Sequence, residues 1–400
     1  MRRTNPEAFS SLATIQKNLT GCIASMTLIA SLLLPCARSA SGSGGKSYFV
    51  YVGTFTTTTS KGIYGFRFSP STGDVVPLGL LAETTNPSWL VAIPKHRFLY
   101  TTNEHPGKTE PGNTITAYAI DPRTGKLGFL NSVSSKGVGP CHLALDKTGT
   151  ILIAANFGSG SIATFRIHPD GRLGDASGFM QDHGSSIDPE RQGGPHAHGT
   201  VTSRDNRFVM VADLGADRIF SYRLDHSTGA LEPNDTPAAI LPPGRAPRHM
   251  AFHPSGRYMY MVSDKGLSTF AYDSAHGTLK ELQTLALPEG SSGQSTYSEV
   301  QVDSAGKFVY DANRKDASIG VFAVDANTGT LTTVQRVPTG GKTPRSFSLD
   351  PAGDYLFSAN EGSDNVSVFR VDKTTGKVTS TGQVLKGVPD PTCVVFVPAK

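Results

Sequence analysis

The feature that most constrains the fold is a segment pattern that occurs six times along the chain. Each copy has a short apolar strand, a turn that is often of the type x-G-[KRT], a second strand that opens with an aromatic or aliphatic residue, and an end at Asn, Asp or Ser. The copies read WLVAIPKHRFLYTTNE, HLALDKTGTILIAANF, GTVTSRDNRFVMVADL, HMAFHPSGRYMYMVSD, EVQVDSAGKFVYDANR and SFSLDPAGDYLFSANE. A chain with this repetition folds as a series of equivalent units.

The repeat has a period near 50 residues, because the residues that open the second strand are spaced by 53, 57, 50, 50 and 47 positions. These residues are Phe98, Ile151, Phe208, Tyr258, Phe308 and Tyr355. A period of this length with several strands per unit is typical of a β-propeller blade, which buries its faces against the neighbouring blades.

A third strand and a turn of the Thr-Gly-x-Leu type follow each copy, in AYAIDPRTGKL, TFRIHPDGRL, SYRLDHSTGAL, TFAYDSAHGTL, VFAVDANTGTL and VFRVDKTTGKV. A seventh unit is split, since SYFVYVGTF and GIYGFRFSPSTGDV lack a first strand and PTCVVFV supplies one near the C-terminus. We therefore predict an all-β fold over residues 48–400: a seven-bladed β-propeller with blade 1 closed by the C-terminal strand. A two-domain β-sandwich, the competing fold, predicts no such common register.

Residues 1–40 differ in kind from the repeats. Arg2, Arg3 and Lys17 precede the apolar stretch CIASMTLIASLLL, which a proline and small residues follow. The stretch is short for a membrane span, so we predict a signal peptide over 1–40, a flexible linker over 41–47 and an exported protein, either periplasmic or secreted. A retained membrane anchor is the alternative. Without the signal, Cys141 and Cys393 remain, as a disulfide or as two buried thiols.

The charge balance argues against a nucleic-acid partner. The formal net charge is +4, of which residues 1–40 supply +3, and phosphate binding needs a clustered basic face. The chain also has no complete G-x-x-x-x-G-K-[ST] loop, no Cys-x-x-Cys pair and no Gly-x-Ser-x-Gly elbow. Nucleotide hydrolysis, cysteine-bound zinc and a typical serine hydrolase therefore have no motif support, and we predict no cofactor.

The first strand of each blade is expected to line the central channel. The residue ten positions before each second-strand opener is called the mouth position here. The mouth positions are Ser88, Cys141, His198, Arg248, Ser298 and Arg345, with Thr392 in the split blade. His198 of the GGPHAHGT stretch therefore occupies the same position as two arginines, and His196 lies just above it in the preceding loop.

The ends of the second strands add charges that differ between blades, although repeat geometry requires no charge there. We predict five catalytic residues, His198, Arg248, Asp264, Arg314 and Glu299, and four substrate-binding residues, His196, Arg345, Glu104 and His249. Such a mixture is costly to bury unless it binds something. It suits addition of water to an electrophile beside an anionic group, since His or a carboxylate accepts a proton while guanidinium groups hold the anion and an oxyanion.

A metal site is the competing interpretation of these residues. His196 and His198 with Glu299 or Asp264 could supply ligands, but arginines at the same positions repel a cation. We therefore predict no metal.

At these residues the chain resembles the lactonase family of seven-bladed propellers, which includes propeller-type 6-phosphogluconolactonases and carboxy-cis,cis-muconate cyclase. The resemblance runs from about Tyr48 to the C-terminus. It rests on GGPHAHGT, DLGADRIFSY, APRHMAFHPSGRYMY, SEVQVDSAGKFVYDANR and GKTPRSFSLDPAGDYLFSANEGSDNVSVF. It implies a metal-independent lactone-processing site at the channel mouth, with catalytic candidates at His198, Arg248, position 264 and Arg314.

One position departs from the family pattern: many members have Asn-Glu where this chain has Ser263-Asp264. A carboxylate remains but is one methylene shorter, which repositions the site around Asp264, transfers its role to Glu299 or reduces activity. Our leading hypothesis is an exported monomer that hydrolyses a small, anionic, sugar-type lactone, with water activated by His198 or by the Asp264 and Glu299 carboxylates. Because phosphorylated sugar lactones are chiefly cytoplasmic, an unphosphorylated lactone is a further option. The alternatives are a non-catalytic binding propeller of the cell envelope and a muconate-type cyclase.

Overall fold

Seven antiparallel sheets follow one another along the chain and confirm the predicted all-β, seven-bladed propeller. The computed structural model describes residues 46–93, 95, 97–105, 113–286 and 297–400. The predicted signal peptide (1–40) and most of the predicted linker (41–47) lie outside the described residues. Within them, no helix is long and apolar enough to cross a membrane.

Each blade runs from an inner to an outer strand. The first contains β1 (Tyr48–Thr54), β2 (Gly62–Ser69) and β3 (Asp74–Glu83); the second contains β4 (Leu90–Ile93), β5 (Phe98–Asn103), β6 (Thr114–Ile120) and β7 (Leu127–Ser134). The third contains β8 (Pro140–Leu145), β9 (Ile151–Asn156), β10 (Ser161–Ile167) and β11 (Leu173–Gln181). The fourth contains β12 (Ala197–Thr202), β13 (Phe208–Asp213), β14 (Arg218–Leu224) and an outer strand in two pieces, β15 (Leu231–Pro233) and β16 (Ala239–Ile240).

The remaining blades are regular. The fifth contains β17 (Pro247–Phe252), β18 (Tyr258–Ser263), β19 (Gly266–Asp273) and β20 (Thr278–Ala286); the sixth contains β21 (Tyr297–Val302), β22 (Phe308–Asn313), β23 (Ser318–Val324) and β24 (Leu331–Pro338). The seventh contains β25 (Pro344–Leu349), β26 (Tyr355–Asn360), β27 (Asn365–Val371) and β28 (Val378–Leu385), with a 3-10 turn at Glu361–Ser363. The last strand, β29 (Pro391–Pro398), belongs to the first blade.

The first and last strands of the described residues close the ring as the split repeat predicts. β29 pairs antiparallel with β1, with Tyr51 opposite Val395 and Val52 opposite Val394. The innermost strand of the first blade therefore comes from the C-terminus, and the first blade's inner sheet edge is paired rather than open.

The hydrophobic core lies between blades rather than inside one sheet. Phe68 of the first blade packs edge-to-face on Phe357 of the seventh, with ring centroids 5.1 Å apart, and Phe396 of β29 contacts both rings. A neighbouring cluster combines residues from the sixth and seventh blades. Each blade thus depends on its neighbours for burial of its apolar faces.

One contact between neighbouring blades recurs around the ring. The aromatic residue that opens a second strand packs on the glycine in the outer turn of the next blade, and that glycine has a positive φ. A methyl group added at the glycine would lie 2.3 Å from Cδ1 of Phe308 at Gly376 and 2.5 Å from Cε1 of Phe208 at Gly277. The same contact pairs Phe49 with Gly125, Phe98 with Gly171, Tyr258 with Gly329 and Tyr355 with Gly73.

At four of these junctions a tyrosine hydroxyl also donates to the carbonyl oxygen of the turn glycine. Tyr51 donates to the Gly125 carbonyl oxygen at 2.9 Å, and Tyr310 donates to that of Gly376 at 3.2 Å. The aromatic contact is missing at the junction of the third and fourth blades, where the opener is Ile151 and a methyl group at Gly229 would meet Ser177. The aromatic opener and the Thr-Gly turn in the repeat are therefore two halves of one inter-blade contact.

Substitution of Gly376 tests this contact. We expect Gly376→Ala to lower the free energy of unfolding by about 2 to 4 kcal/mol, because alanine at φ +73° is strained and its methyl group overlaps the Phe308 ring. Gly353→Ala is the matched control: its φ is +70°, but the nearest atom is 3.9 Å away, so only the backbone strain of about 1 kcal/mol applies. Urea unfolding measures both, and equal losses would contradict the proposed contact.

Candidate active site

The innermost strands of the seven blades contact one another in sequence around the ring. In five blades the pairing between first and second strand shifts by one residue, and the skipped residue is a mouth position: Cys141, His198, Ser298, Arg345 and Thr392. In the fifth blade the shift spans Arg248 and His249. Such a bulge redirects a side chain at the end of a strand, so the sequence spacing and the strand pairing select the same residues.

Three arginines from three blades lie close enough to repel one another. Burial lowers the pKa of Arg248 to about 10, and the charge of Arg345 contributes. Burial, together with Arg248 and Arg345, holds the pKa of Arg314 well below its usual value. Among the described residues, Nε of Arg248 and Nε of Arg314 are buried and have no hydrogen-bond partner. Concentrated positive charge with unpaired donors suits an anionic ligand.

Arg345 has carboxylates on two sides. Its guanidinium lies 3.9 Å from Oε2 of Glu104 and 3.5 Å from Oε2 of Glu361, and it packs over the ring of Phe55. Ser88 donates to Oε2 of Glu104 at 2.5 Å. Burial raises the pKa of Glu104, and Arg345 opposes that rise. Glu104 and Glu361 therefore hold Arg345 in place.

Asp264 is paired with an arginine that the sequence analysis missed. Nη1 of Arg191 lies 2.6 Å from Oδ2 of Asp264, which is buried. Arg191 belongs to the segment between β11 and β12, where Gln192 anchors the chain by donating to the Leu214 carbonyl oxygen. Sequence reasoning had no signal for this pair, because a loop outside the repeat supplies Arg191.

His198 is buried and surrounded by positive charge. Burial lowers its pKa well below the usual value, and Arg248, His249, Arg345 and Arg314 lower it further. Its imidazole is therefore neutral at pH 7, and its Nδ1 has no hydrogen-bond partner among the described residues. A neutral imidazole can accept a proton from water.

His196 is separately anchored. Its ring stacks on Phe157 with centroids 4.7 Å apart, and its Nδ1 lies 2.8 Å from the Phe157 carbonyl oxygen. The edge of His198 packs on the same phenyl ring. Phe157 therefore positions both histidines of the GGPHAHGT stretch.

The residues that follow the mouth positions form a second layer, called the inner layer here. His249 faces Glu299, with Nδ1 3.4 Å from Oε2, and its ring contacts those of Trp89 and His142. Burial raises the pKa of Glu299 to about 7, opposed chiefly by His142. The sequence analysis missed Trp89 and His142, although each directly follows a mouth position.

A cavity of about 420 Å³ borders the inner layer. Trp89, His142, Glu299 and Ser346 line it at one end, and Leu145 and Leu349, the last residues of their strands, line it further along the channel. Glu299 therefore belongs to both the inner layer and the cavity wall.

The described residues also bear on cysteine and metal chemistry. Cys141 and Cys393 are free and buried, so the structure favours two thiols over a disulfide. Burial raises the pKa of both thiols, which makes them poor nucleophiles. No group of three or more His, Cys, Asp or Glu side chains in the described part of the chain is arranged to hold a metal ion.

Comparison with known proteins identifies the family of this chain. Residues 49–396 match the family model described as "Lactonase, 7-bladed beta-propeller". A 6-phosphogluconolactonase of Bacillus subtilis is 33% identical over 303 residues, which cover 75% of this chain and 84% of that protein. A 6-phosphogluconolactonase of Formosa agariphila is 30% identical, covering 75% of this chain and 85% of that protein.

A solved structure of a lactonase is also similar to this chain. The periplasmic gluconolactonase of Pseudomonas aeruginosa is 33% identical, with a TM-score of 0.81, and the match covers 88% of this chain and 99% of that one.

The Glu299 carboxyl group gives a test of the inner layer. Its pKa is raised from 4.5 to about 7, so the folded state holds this proton more tightly than the unfolded state. The resulting stability is complete below pH 4.5 and is lost as the pH rises through 7, a change of about 3 kcal/mol. We expect the free energy of unfolding of the wild type to fall by this amount relative to Glu299→Gln between pH 4 and 8.

Urea unfolding at a series of pH values measures this difference. Glu232→Gln, at an exposed position, is the control and should parallel the wild type. Parallel curves for the wild type and Glu299→Gln would show that the carboxyl group titrates normally.

Proposed function

Because the chain belongs to the lactonase family of seven-bladed β-propellers, we propose that it is a 6-phosphogluconolactonase-like enzyme that hydrolyses a sugar-type lactone without a metal. The observation that carries the proposal is the neutral, buried His198 beside Arg248, Arg314 and Arg345. A proton acceptor and a concentrated positive charge are the two groups that ester hydrolysis of an anionic substrate requires.

In the proposed reaction the arginines bind the anionic group of the substrate and the carbonyl oxygen. Water attacks the carbonyl carbon and His198 accepts one of its protons, so that a C–O bond forms and the carbonyl oxygen becomes an oxyanion. The ring C–O bond then breaks, and the protonated imidazole gives its proton to the departing ring oxygen. The product is a hydroxycarboxylic acid, which ionises and releases one proton.

The same arginines explain how His198 becomes a better base when substrate is bound. Their positive charges help to keep the pKa of His198 low in the empty site. A bound anion offsets these charges, which raises the pKa toward the range in which imidazole accepts a proton efficiently. Proton abstraction is then coupled to the presence of the correct substrate.

Asp264 has a supporting role in this scheme. Its Oδ2 lies 2.6 Å from Nη1 of Arg191. We propose that Asp264 orients Arg191 and Arg248 at the mouth, since its charge also acts on Arg248. The shorter carboxylate is compatible with this role, because the long Arg191 side chain reaches it.

The proposed substrate is a small sugar-type lactone. It either carries a phosphate or carboxylate group, or it is unphosphorylated and the arginines bind the carboxylate that forms when the ring opens. We propose that the protein is exported as a monomer after removal of residues 1–40, in line with the periplasmic gluconolactonase to which it is similar. Glucono-1,5-lactone is then the substrate to test beside its 6-phosphate.

Removal of one arginine tests the anion site. We expect Arg248→Ala to lower kcat/KM on the active lactone by about 10²- to 10³-fold, since one donor to the oxyanion is lost. Arg172→Ala, at a 60% exposed side chain, is the matched control and should retain activity. The assay follows hydrolysis of glucono-1,5-lactone and its 6-phosphate above the spontaneous rate. Turnover of neither lactone by the wild type would contradict the proposed function.

His198 gives a second, independent test. We expect His198→Gln to lower kcat by about 10²- to 10⁴-fold with little change in KM, because the proton acceptor is lost while the arginines remain. His276→Gln removes a 75% exposed imidazole and should have no effect. Both proteins are assayed with and without chelator. Unchanged turnover by His198→Gln, or wild-type turnover abolished by chelator, would rule out this mechanism.

A further inference from the structure

We propose that His249 and Glu299 form a proton relay that connects His198 at the mouth with the cavity in the lower channel. The proposal rests on the proposed function, because lactone hydrolysis at neutral pH releases one proton for each molecule opened. That proton is produced among three arginines, where a positive charge is unfavourable. A path for proton transfer away from the arginines would remove this proton from the site before the next turnover.

The orientation of His249 suits a relay between blades. Its Nδ1 faces Oε2 of Glu299 in the sixth blade at 3.4 Å. The opposite edge of the ring faces the fourth blade, since a methyl group added at Gly199 would lie 3.2 Å from Cδ2 of His249. Gly199 directly follows His198, whose ring centroid is 5.2 Å from that of His249. The imidazole therefore lies between the proposed base and Glu299.

The two nitrogens of His249 are kept free of other partners. Both are buried and make no hydrogen bond within the described part of the chain. His142 in the same layer differs, because its Nδ1 accepts the Thr200 backbone N–H at 3.3 Å. An unsatisfied buried imidazole costs free energy, so its retention beside a facing carboxylate favours a role in proton transfer over a role in packing.

Glu299 is held at the boundary between the inner layer and the cavity. Its Oε1 accepts the Val300 backbone N–H at 2.9 Å, and its Oε2 accepts the Ser346 hydroxyl at 3.2 Å. The charged or titratable groups that act on it are His142, His249 and Arg248. Burial outweighs them and brings its pKa to about 7, where a carboxyl group accepts and releases protons with equal ease.

The proton movements balance in four steps. After ring opening His198 is neutral again, and the carboxylic acid product gives its proton to it. His198 passes a proton to Nε2 of His249, and His249 passes its Nδ1 proton to Oε2 of Glu299. The Glu299 carboxyl group then releases that proton into the cavity of about 420 Å³. The reverse tautomer shift restores His249 before the next turnover, and no oxidant or co-reactant is needed.

The pH dependence of turnover tests the relay. The carboxyl group must be ionised to accept a proton, so kcat of the wild type should fall as the pH decreases through about 7. We expect Glu299→Gln to lower kcat at least tenfold at pH 7.5, to leave KM within twofold and to abolish this acidic limb. Ser348→Ala, which alters the same cavity without touching the relay, should retain the wild-type profile.

Chemical rescue separates proton transfer from a structural role. Glu299→Ala leaves a space in the cavity wall that formate can enter, and added formate should restore kcat in a saturable manner. Formate should have no effect on Glu299→Gln, whose amide fills the space. An unchanged pH profile in Glu299→Gln, or a loss of activity that formate does not restore in Glu299→Ala, would overturn the relay.

These outcomes are distinct from a failure of the proposed function. If the wild type hydrolyses no lactone, the proposed function fails and the relay fails with it. If the wild type is active and Glu299→Gln retains its kcat and acidic limb, only the relay is refuted.

Discussion

The packing of an aromatic ring on the turn glycine of the next blade is the contact on which the rest of the structure depends. It recurs at six junctions, including the one between Tyr355 of the seventh blade and Gly73 of the first. Because the ring occupies the space of a Cβ atom, the contact fixes both the distance and the angle between neighbouring blades. The positions of the innermost strands, and of the side chains at their ends, follow from that angle.

In the candidate site, the concentrated positive charge that suits an anionic ligand opposes the stability of the empty protein. Burial and the charge of Arg345 lower the pKa of both Arg248 and Arg314, an arrangement that destabilises the empty protein. The inter-blade packing tolerates this cost because Arg248 lies on a shifted strand end and Arg314 directly follows the end of β22, away from the apolar contacts between sheets. Stability and chemistry therefore depend on different residues of the same repeat, and the mouth positions are free to differ from blade to blade.

The sequence was sufficient to predict the fold and the strand positions of the candidate residues. The aromatic openers and turn glycines specify the blades, and the strand pairing selects the mouth residues that ten-residue counting selects. The ion pair between Arg191 and Asp264 could not be predicted, because it joins a loop to another blade. The raised pKa of Glu299 was equally inaccessible, since it arises from burial by the ring of inner strands. Periodicity identifies equivalent positions but contains no information about contacts across the channel.

The third and fourth blades meet without the aromatic contact, and the outer strand of the fourth blade is interrupted. At this junction Thr164 donates a hydrogen bond to the Gly229 carbonyl oxygen, where four other junctions use a tyrosine. His198 belongs to the fourth blade and Cys141 belongs to the third. The buried Cys141 thiol donates a hydrogen bond to the His198 carbonyl oxygen at 3.3 Å. This thiol therefore joins the two blades at their inner strands and supports the backbone of the proposed base.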